Sequence, residues 1–291
     1  VQGISFSNAS FYLNGLRLTV GDGGINAGGG FSNIWGDGET TAIGNTLRFY
    51  SKVGPGNALR IEGWIADNAH GKVGLLVQKR NPYEIGVGII RISGGYNSAF
   101  TGDVVVEGKD SHLYLCKIGG VIAVRSNITV RNGRVAGIEL SNQIADTSTV
   151  TLQGNGSTFS LNDVSHALSE KFRTLKVEGE GRVLFSRKAA DRYAKTLIVD
   201  DLIVDWGSDL SVEGWNAELD LFLIKKTSGN ARSALSRIRF EGPDRQIVEL
   251  RPYNAYYWKL YASPEPSTYG AIFGAVGLGI AIWRRRRRGA C

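Results

Sequence analysis

The sequence predicts an all-β chain: a parallel β-helix (solenoid) body followed by a single C-terminal transmembrane helix. Three observations favour the solenoid. The apolar-alternating runs are very short, often about three to five residues. Glycine and asparagine mark nearly every corner between them. The strand-and-turn pattern also continues, without a shift in composition, past the length of one ordinary sandwich. A solenoid coil cannot bury its apolar face alone, so coils stack and share one continuous core. No strict repeat period is visible, and a β-sandwich body is the alternative architecture.

The strands follow in order. Early ones fall at 16–20, 59–63, 73–77 and 85–92, and each alternates apolar and polar residues. The middle of the chain supplies 104–107, 113–116, 128–130, 135–140, 150–152 and 159–161. The last third supplies 175–177, 183–185, 197–199, 202–204, 219–224 and 238–240. Turn residues separate them at intervals of about 8–12 residues, as at Gly94-Gly95, Asn132-Gly133 and Gly154-Asn155-Gly156. Two stretches, 166–172 and 187–194, read as short helical excursions. The body is assigned to residues 1–262.

The chain closes on a different pattern. Pro264-Glu265-Pro266 forbids helix through the motif and holds it extended. An apolar segment then runs over 269–283, fifteen residues or roughly 22 Å of helix at ~1.5 Å per residue. Tyr269 and Trp283 stand where an interfacial aromatic belt places them. Gly270 and Gly274 form a small-xxx-small pair within it. Arg284, Arg285, Arg286, Arg287 and Arg288 follow at once. Such a cluster stays on the cytoplasmic side of a spanning segment, so the residues before Ser263 are expected outside the cytoplasm.

That block also changes the meaning of the net charge. The chain is formally +7, and removing these five arginines leaves 29 Lys+Arg against 27 Asp+Glu. A near-neutral body argues against a nucleic-acid surface. Gly 39 is about double the ordinary share of ~7%. The two cysteines, Cys116 and Cys291, lie on opposite sides of the expected membrane stop, so they form no disulfide framework. Cys116 reads as a small buried hydrophobe, and Cys291 receives no role. The chain starts at Val1 and holds Met 0. An N-terminal signal peptide is expected of an exported protein, and residues 1–15 do not show one.

His70, His112 and His166 have no metal-ligand spacing. Neither a Gly-x-Ser-x-Gly elbow nor a Ser/His/Asp motif occurs. Gly28-Gly29-Gly30 lacks the Lys-Ser/Thr that grips phosphate. Asp200, Asp201, Asp205 and Asp209 form the densest acidic cluster and are the only catalytic candidates. Adjacent Asp200 and Asp201 are expected on opposite faces of a strand. The reading is therefore a non-enzymatic chain, with no cofactor and no metal.

Residues 74–108 carry a resemblance. Gly74-Leu75-Leu76-Val77-Gln78-Lys79 leads to Gly88-Ile89-Ile90-Arg91-Ile92-Ser93-Gly94, then to Asn97-Ser98-Ala99-Phe100-Thr101-Gly102 and Val104-Val105-Val106-Glu107-Gly108. This resembles the autotransporter-associated β-strand repeat, apart from a polar insert at 80–84. The resemblance implies a right-handed parallel β-helix outside a Gram-negative cell. In it Phe100 packs inward, and Gly102 takes a corner angle barred to other residues. Residues 202–262 resemble a closing segment in which Trp215 and Phe222 cover the last open coil, an edge that would otherwise template aggregation.

The tail at 263–288, with its Pro-Glu-Pro motif, glycine-bearing apolar helix and arginine cluster, is similar to the PEP-CTERM sorting signal. That resemblance implies an exported protein of a Gram-negative bacterium. An exosortase-type membrane enzyme recognises Pro264, Glu265 and Pro266, removes the tail and releases the body to the cell surface. The expected partners are that enzyme and the inner membrane in passing, with an adhesive role or association with exopolysaccharide as the expected function of a surface or extracellular matrix protein; nucleic acid is not among them. Two alternatives stay open: a β-helical polysaccharide lyase or hydrolase with the same tail, and a permanently anchored single-pass protein.

Overall fold

Each apolar run stacks directly on the run one coil later. The computed structural model describes residues 1–7, 9–27, 31–51, 58–79, 87–136, 140–162, 166–186, 192–241 and 246–264. Within them the chain is all-β, a parallel β-solenoid of about 8 turns with almost no helix. A 12-stranded sheet forms a long face, a 10-stranded sheet forms a second face, and a 3-stranded sheet forms part of a third.

The register explains the core. On the long face Leu75, Val104, Ile128, Val150, Leu175 and Leu202 stack one above another. Two residues along each strand, Val77, Val106, Val130, Leu152, Val177 and Val204 make a parallel column. On the second face Ile90, Leu113, Val135, Phe159, Val183 and Val212 do the same. All are buried. Side chains of one strand alternate sides, so the intervening residues, Thr129, Thr151 and Lys176 among them, face outward. Each fully buried Val, Leu, Ile or Phe stabilises the stack by about 1.5–3 kcal/mol.

Coil length varies, which is why no period shows in the sequence. Gln78 meets Glu107 across 29 residues, whereas Arg131 meets Gln153 across 22. The differences are absorbed at the corners and on the third face. That face begins as Arg17–Val20, Glu39–Ala42 and Trp64–Ile65. It continues through the isolated bridges Ala66–Ala99 and Val124–Ile144.

The third face is then carried by the first halves of two long strands, Leu168–Glu178 and Lys195–Val204. The helical excursion expected at 166–172 is thus corrected to strand. Leu168, Glu170 and Phe172 point inward in strict alternation, a period of two that helix does not have. The second expected excursion lies largely at 187–191, outside the described residues; 192–194 are not helical.

Phe100 is fully buried, as expected of the 97–102 corner. Gly102 departs from expectation, since it is not among the glycines with positive φ. Its role is close approach: a Cβ there would lie 2.4 Å from the Gly74 nitrogen and 2.5 Å from the Val73 carbonyl carbon. The polar insert at 80–84 lies outside the described residues.

The C-terminal closure also differs from the expected one. Phe222 is not a lid; it stacks under Leu197 as a further rung and is fully buried. Trp215 is half-buried and packs edge-on against Phe185 at 4.9 Å and Phe240 at 5.4 Å. The closing elements are two. The short helix Ala231–Ala234 buries Ala231 and Ala234 and packs against Lys195–Val204. The antiparallel pair Gln246–Pro264, made of Gln246–Pro252 and Tyr257–Pro264, seals the edge of Leu221–Lys225 through Leu223–Lys259 pairing. Reversing strand direction ends the parallel stack and takes up its open edge.

Candidate functional site

The acidic cluster does not converge. In Lys195–Val204 the alternation resets at Asp200 and Asp201, so both side chains are half-buried instead of facing opposite sides. The strand turns a corner there, which corrects the simple alternation expected of adjacent residues. Asp200 faces Lys225 at 3.3 Å. Asp201 accepts from the Ser228 hydroxyl and from the Asn230 amide, the latter at 2.9 Å. Asp205 is 3.6 Å from Lys176, and Asp209 is 3.1 Å from Arg239. Each carboxylate is thus held by its own neighbour. Asp201 fastens the turn that leads into the closing helix.

The histidines are likewise dispersed. His70 is exposed, with its backbone N–H donating to Asn68 Oδ1 at 2.7 Å. His166 lies beside Tyr193, ring centroids 6.4 Å apart. Among the described residues no three His, Cys, Asp or Glu side chains are grouped to hold a metal. Cys116 is buried and unbonded to another cysteine. Gly28, Gly29 and Gly30 lie outside the described residues. So do Glu265, Pro266, Tyr269, Gly270, Gly274, Trp283, the five arginines and Cys291. Pro264 is the last residue of its strand, extended and paired in register with Gln246. Among the described residues no helix is long and apolar enough to cross a membrane.

His112 leads to the most developed surface feature. It belongs to Ser111–Lys117 on the second face and stacks in register on Arg134, then Thr158, then Arg182. These outward side chains form one wall of an open groove of about 840 Å³. The other wall is the corner between the long and second faces, repeated in three coils: Lys109-Asp110, Asn132-Gly133 and Gly154-Asn155-Gly156. The corners need left-handed backbone. Asp110 has φ 65 and Asn132 has φ 53, an angle that Asp and Asn tolerate better than most residues. Gly154 has φ +78, and a Cβ there would meet Asn132 Oδ1 at 2.5 Å.

The groove is cationic but sparsely so. Lys109, Arg134 and Arg182 stand against Asp110, and Glu213 reaches Arg182 Nε at 3.4 Å. His112 adds no charge near neutral pH. Burial, then the positive charge of Arg134, hold its pKa down at about 4, against a small opposite pull from Asp110. Arg134 donates to Ser160 Oγ at 3.0 Å. Arg134 Nε and His112 Nδ1 are shielded from water and meet no hydrogen-bonding partner among the described residues.

The residues that sequence reasoning missed are buried and polar. At the groove corner, serines of one coil accept backbone N–H groups of the coil before: Ser111 from Lys79 at 2.8 Å, Ser157 from Asn132 at 2.9 Å, Ser208 from Gly179 at 2.8 Å. At another corner Gln143 Oε1 accepts from the Lys117 N–H at 2.6 Å, and Glu170 accepts from Gln143 and Ile144, both at 2.9 Å. Lys117 itself is buried, donates to the Gly63 carbonyl at 3.2 Å, and is pushed down to about 8 by burial. Corners break the ladder of backbone bonds, and these side chains satisfy the N–H groups left over. The available signal was faint: Glu170 takes the place of an apolar residue at the inward position between Leu168 and Phe172.

The solenoid, its groove and its polar corners stand without a recognised relative: no family model, no curated protein and no solved structure matches the chain.

Proposed function

We propose that this chain is an exported, non-enzymatic surface or matrix protein: a stiff β-solenoid that associates with exopolysaccharide and is sorted through residues 263–288. One observation supports it best. Outward residues recur in register, one per coil, and build a long polar surface instead of a convergent pocket of nucleophile, acid and base. A surface that repeats along an axis suits an extended partner.

In this reading 269–283 is a transmembrane helix and the five arginines are its cytoplasmic stop. The coil is right-handed, the hand that parallel crossovers adopt in about 98% of cases. Glu265 between two prolines is the recognition handle for an exosortase-type enzyme. Cleavage there ends the stay in the inner membrane and frees the body to the cell surface. Mass spectrometry of the surface-exposed protein from native cells tests this. The expected mature form lacks everything beyond the Pro-Glu-Pro motif; an intact Cys291 terminus on that form defeats the sorting reading.

A further inference from the structure

We propose that the groove between the 109–110, 132–133 and 154–156 corners and the His112–Arg182 column binds a carboxylate-bearing polysaccharide lying along the solenoid axis. Arg134 and Arg182 take carboxylates, and Asn132, Asn155 and Thr158 meet hydroxyls. This deepens the surface-protein reading and rests on it for the polymer's presence, while the ligand class comes from the groove.

Three features select that chemistry. Among the described residues the lining carries no Trp, Tyr or Phe and is polar or glycine throughout, which disfavours an apolar peptide or a stacked base. Its amides and hydroxyl both donate and accept and its guanidinium groups donate, the mixture that an acidic polyol requires. Charge is sparse and spaced. Arg134 and Arg182 are separated by the strand that carries Thr158, so their backbones lie roughly 10 Å apart, two strand spacings of about 4.8 Å. A nucleic-acid strand presents a charge about every 3.4 Å and calls for a denser cationic track. A polymer with one carboxylate per sugar or per alternate sugar matches the sparser track. Arg134 and Arg182 are the anchors, since a planar guanidinium engages a carboxylate through its N–H groups.

The test titrates the full chain, kept in mild detergent, with three probes: polygalacturonate, the same polymer with its carboxyls reduced to alcohols, and inorganic polyphosphate. Polygalacturonate is expected to bind at least tenfold more tightly than either of the others. Arg134→Gln with Arg182→Gln is expected to weaken it tenfold or more. Asn155→Asp changes only an exposed turn tip, places a negative charge in the groove, and is expected to weaken binding even if the arginine variants fold poorly. Equal binding of acidic and reduced polymer overturns the carboxylate assignment, yet leaves the sorting reading intact, because that is decided by the mass of the mature C-terminus. Tighter binding of polyphosphate, or wild-type binding by Asn155→Asp, overturns it as well.

Discussion

Glu170 reaches back one coil and accepts the backbone N–H of Gln143 at 2.9 Å, while its other oxygen accepts that of Ile144. The carboxyl is fully buried. Burial pushes its pKa up to about 8, against the N–H bonds that favour the ionised form. The folded chain therefore keeps a proton that an unfolded glutamate, with its ordinary pKa of 4.5, has lost. More protons are bound in the folded state between about pH 4.5 and 8, so this group's contribution to stability declines as pH rises through that window. His112 acts oppositely. Its folded pKa of about 4 lies below the ordinary 6.5, and its contribution is lost as pH falls through that range. The two are separated by comparing wild type with Glu170→Gln in urea titrations from pH 5 to 8. The stability advantage of wild type over the variant is expected to shrink steadily with pH; a constant difference would show that Glu170 does not titrate there.

Gly102 separates steric from conformational demands on glycine. Its φ is ordinary, but a Cβ would sit 2.4 Å from a backbone nitrogen of the preceding coil. Backbone cannot swing aside as a side chain does. Gly102→Ala is expected to cost about 1–3 kcal/mol. Gly229, with nothing within 4 Å of its would-be Cβ, is the control; alanine there is expected within about 0.5 kcal/mol of wild type. Equal denaturation midpoints for the two variants would remove the close-approach argument.

Legibility followed the physics of each feature. Alternation along Leu75–Val77, Val104–Val106 and Val150–Leu152 shows in one strand at a time, so the core columns could be read locally. Asn132-Gly133 and Gly154-Asn155-Gly156 announced their corners because few other residues suit left-handed backbone. The groove could not be read, since it arises only when coils of unequal length bring His112, Arg134, Thr158 and Arg182 into one column. Burial of Lys117, Gln143 and Glu170 was hidden for the same reason: their partners lie a coil or more away. The bend at Asp200 and Asp201 was missed because a long strand that turns a corner keeps its composition while changing its phase.

Asp201 is expected to matter for folding and not for turnover. Its two oxygens hold Ser228 and Asn230, and Ser228 Oγ in turn accepts the Ala231 N–H at 3.2 Å. Losing the carboxylate leaves the closing helix untethered. Asp201→Ala is expected to lower stability by about 1–2 kcal/mol. Asp205→Ala removes only an exposed pair with Lys176 and is expected to stay within about 0.5 kcal/mol. Urea midpoints check both. A reversed order would return Asp205 to consideration as a functional group.

Phe159 and Phe172 meet edge to face inside the stack, centroids 5.3 Å apart, and both are fully buried. Phe159 also stacks in register between Val135 and Val183, the middle of three successive rungs. Truncation to alanine opens a cavity that flanking rungs fill only in part. Each single variant is expected to lose about 3–5 kcal/mol, and the double-mutant cycle to give a coupling of about 0.5–1.5 kcal/mol. A further consequence follows from architecture. In a solenoid each coil contacts mainly its neighbours, so stability propagates chiefly through nearest-neighbour interfaces. Weakening one central interface uncouples the coils before it from those after it. Phe159→Ala is therefore expected to unfold in two urea transitions where the wild type shows one, and hydrogen exchange is expected to accelerate on one side of residue 159 first. A single cooperative transition in the variant would mean that the stack is held together by more than its neighbouring rungs.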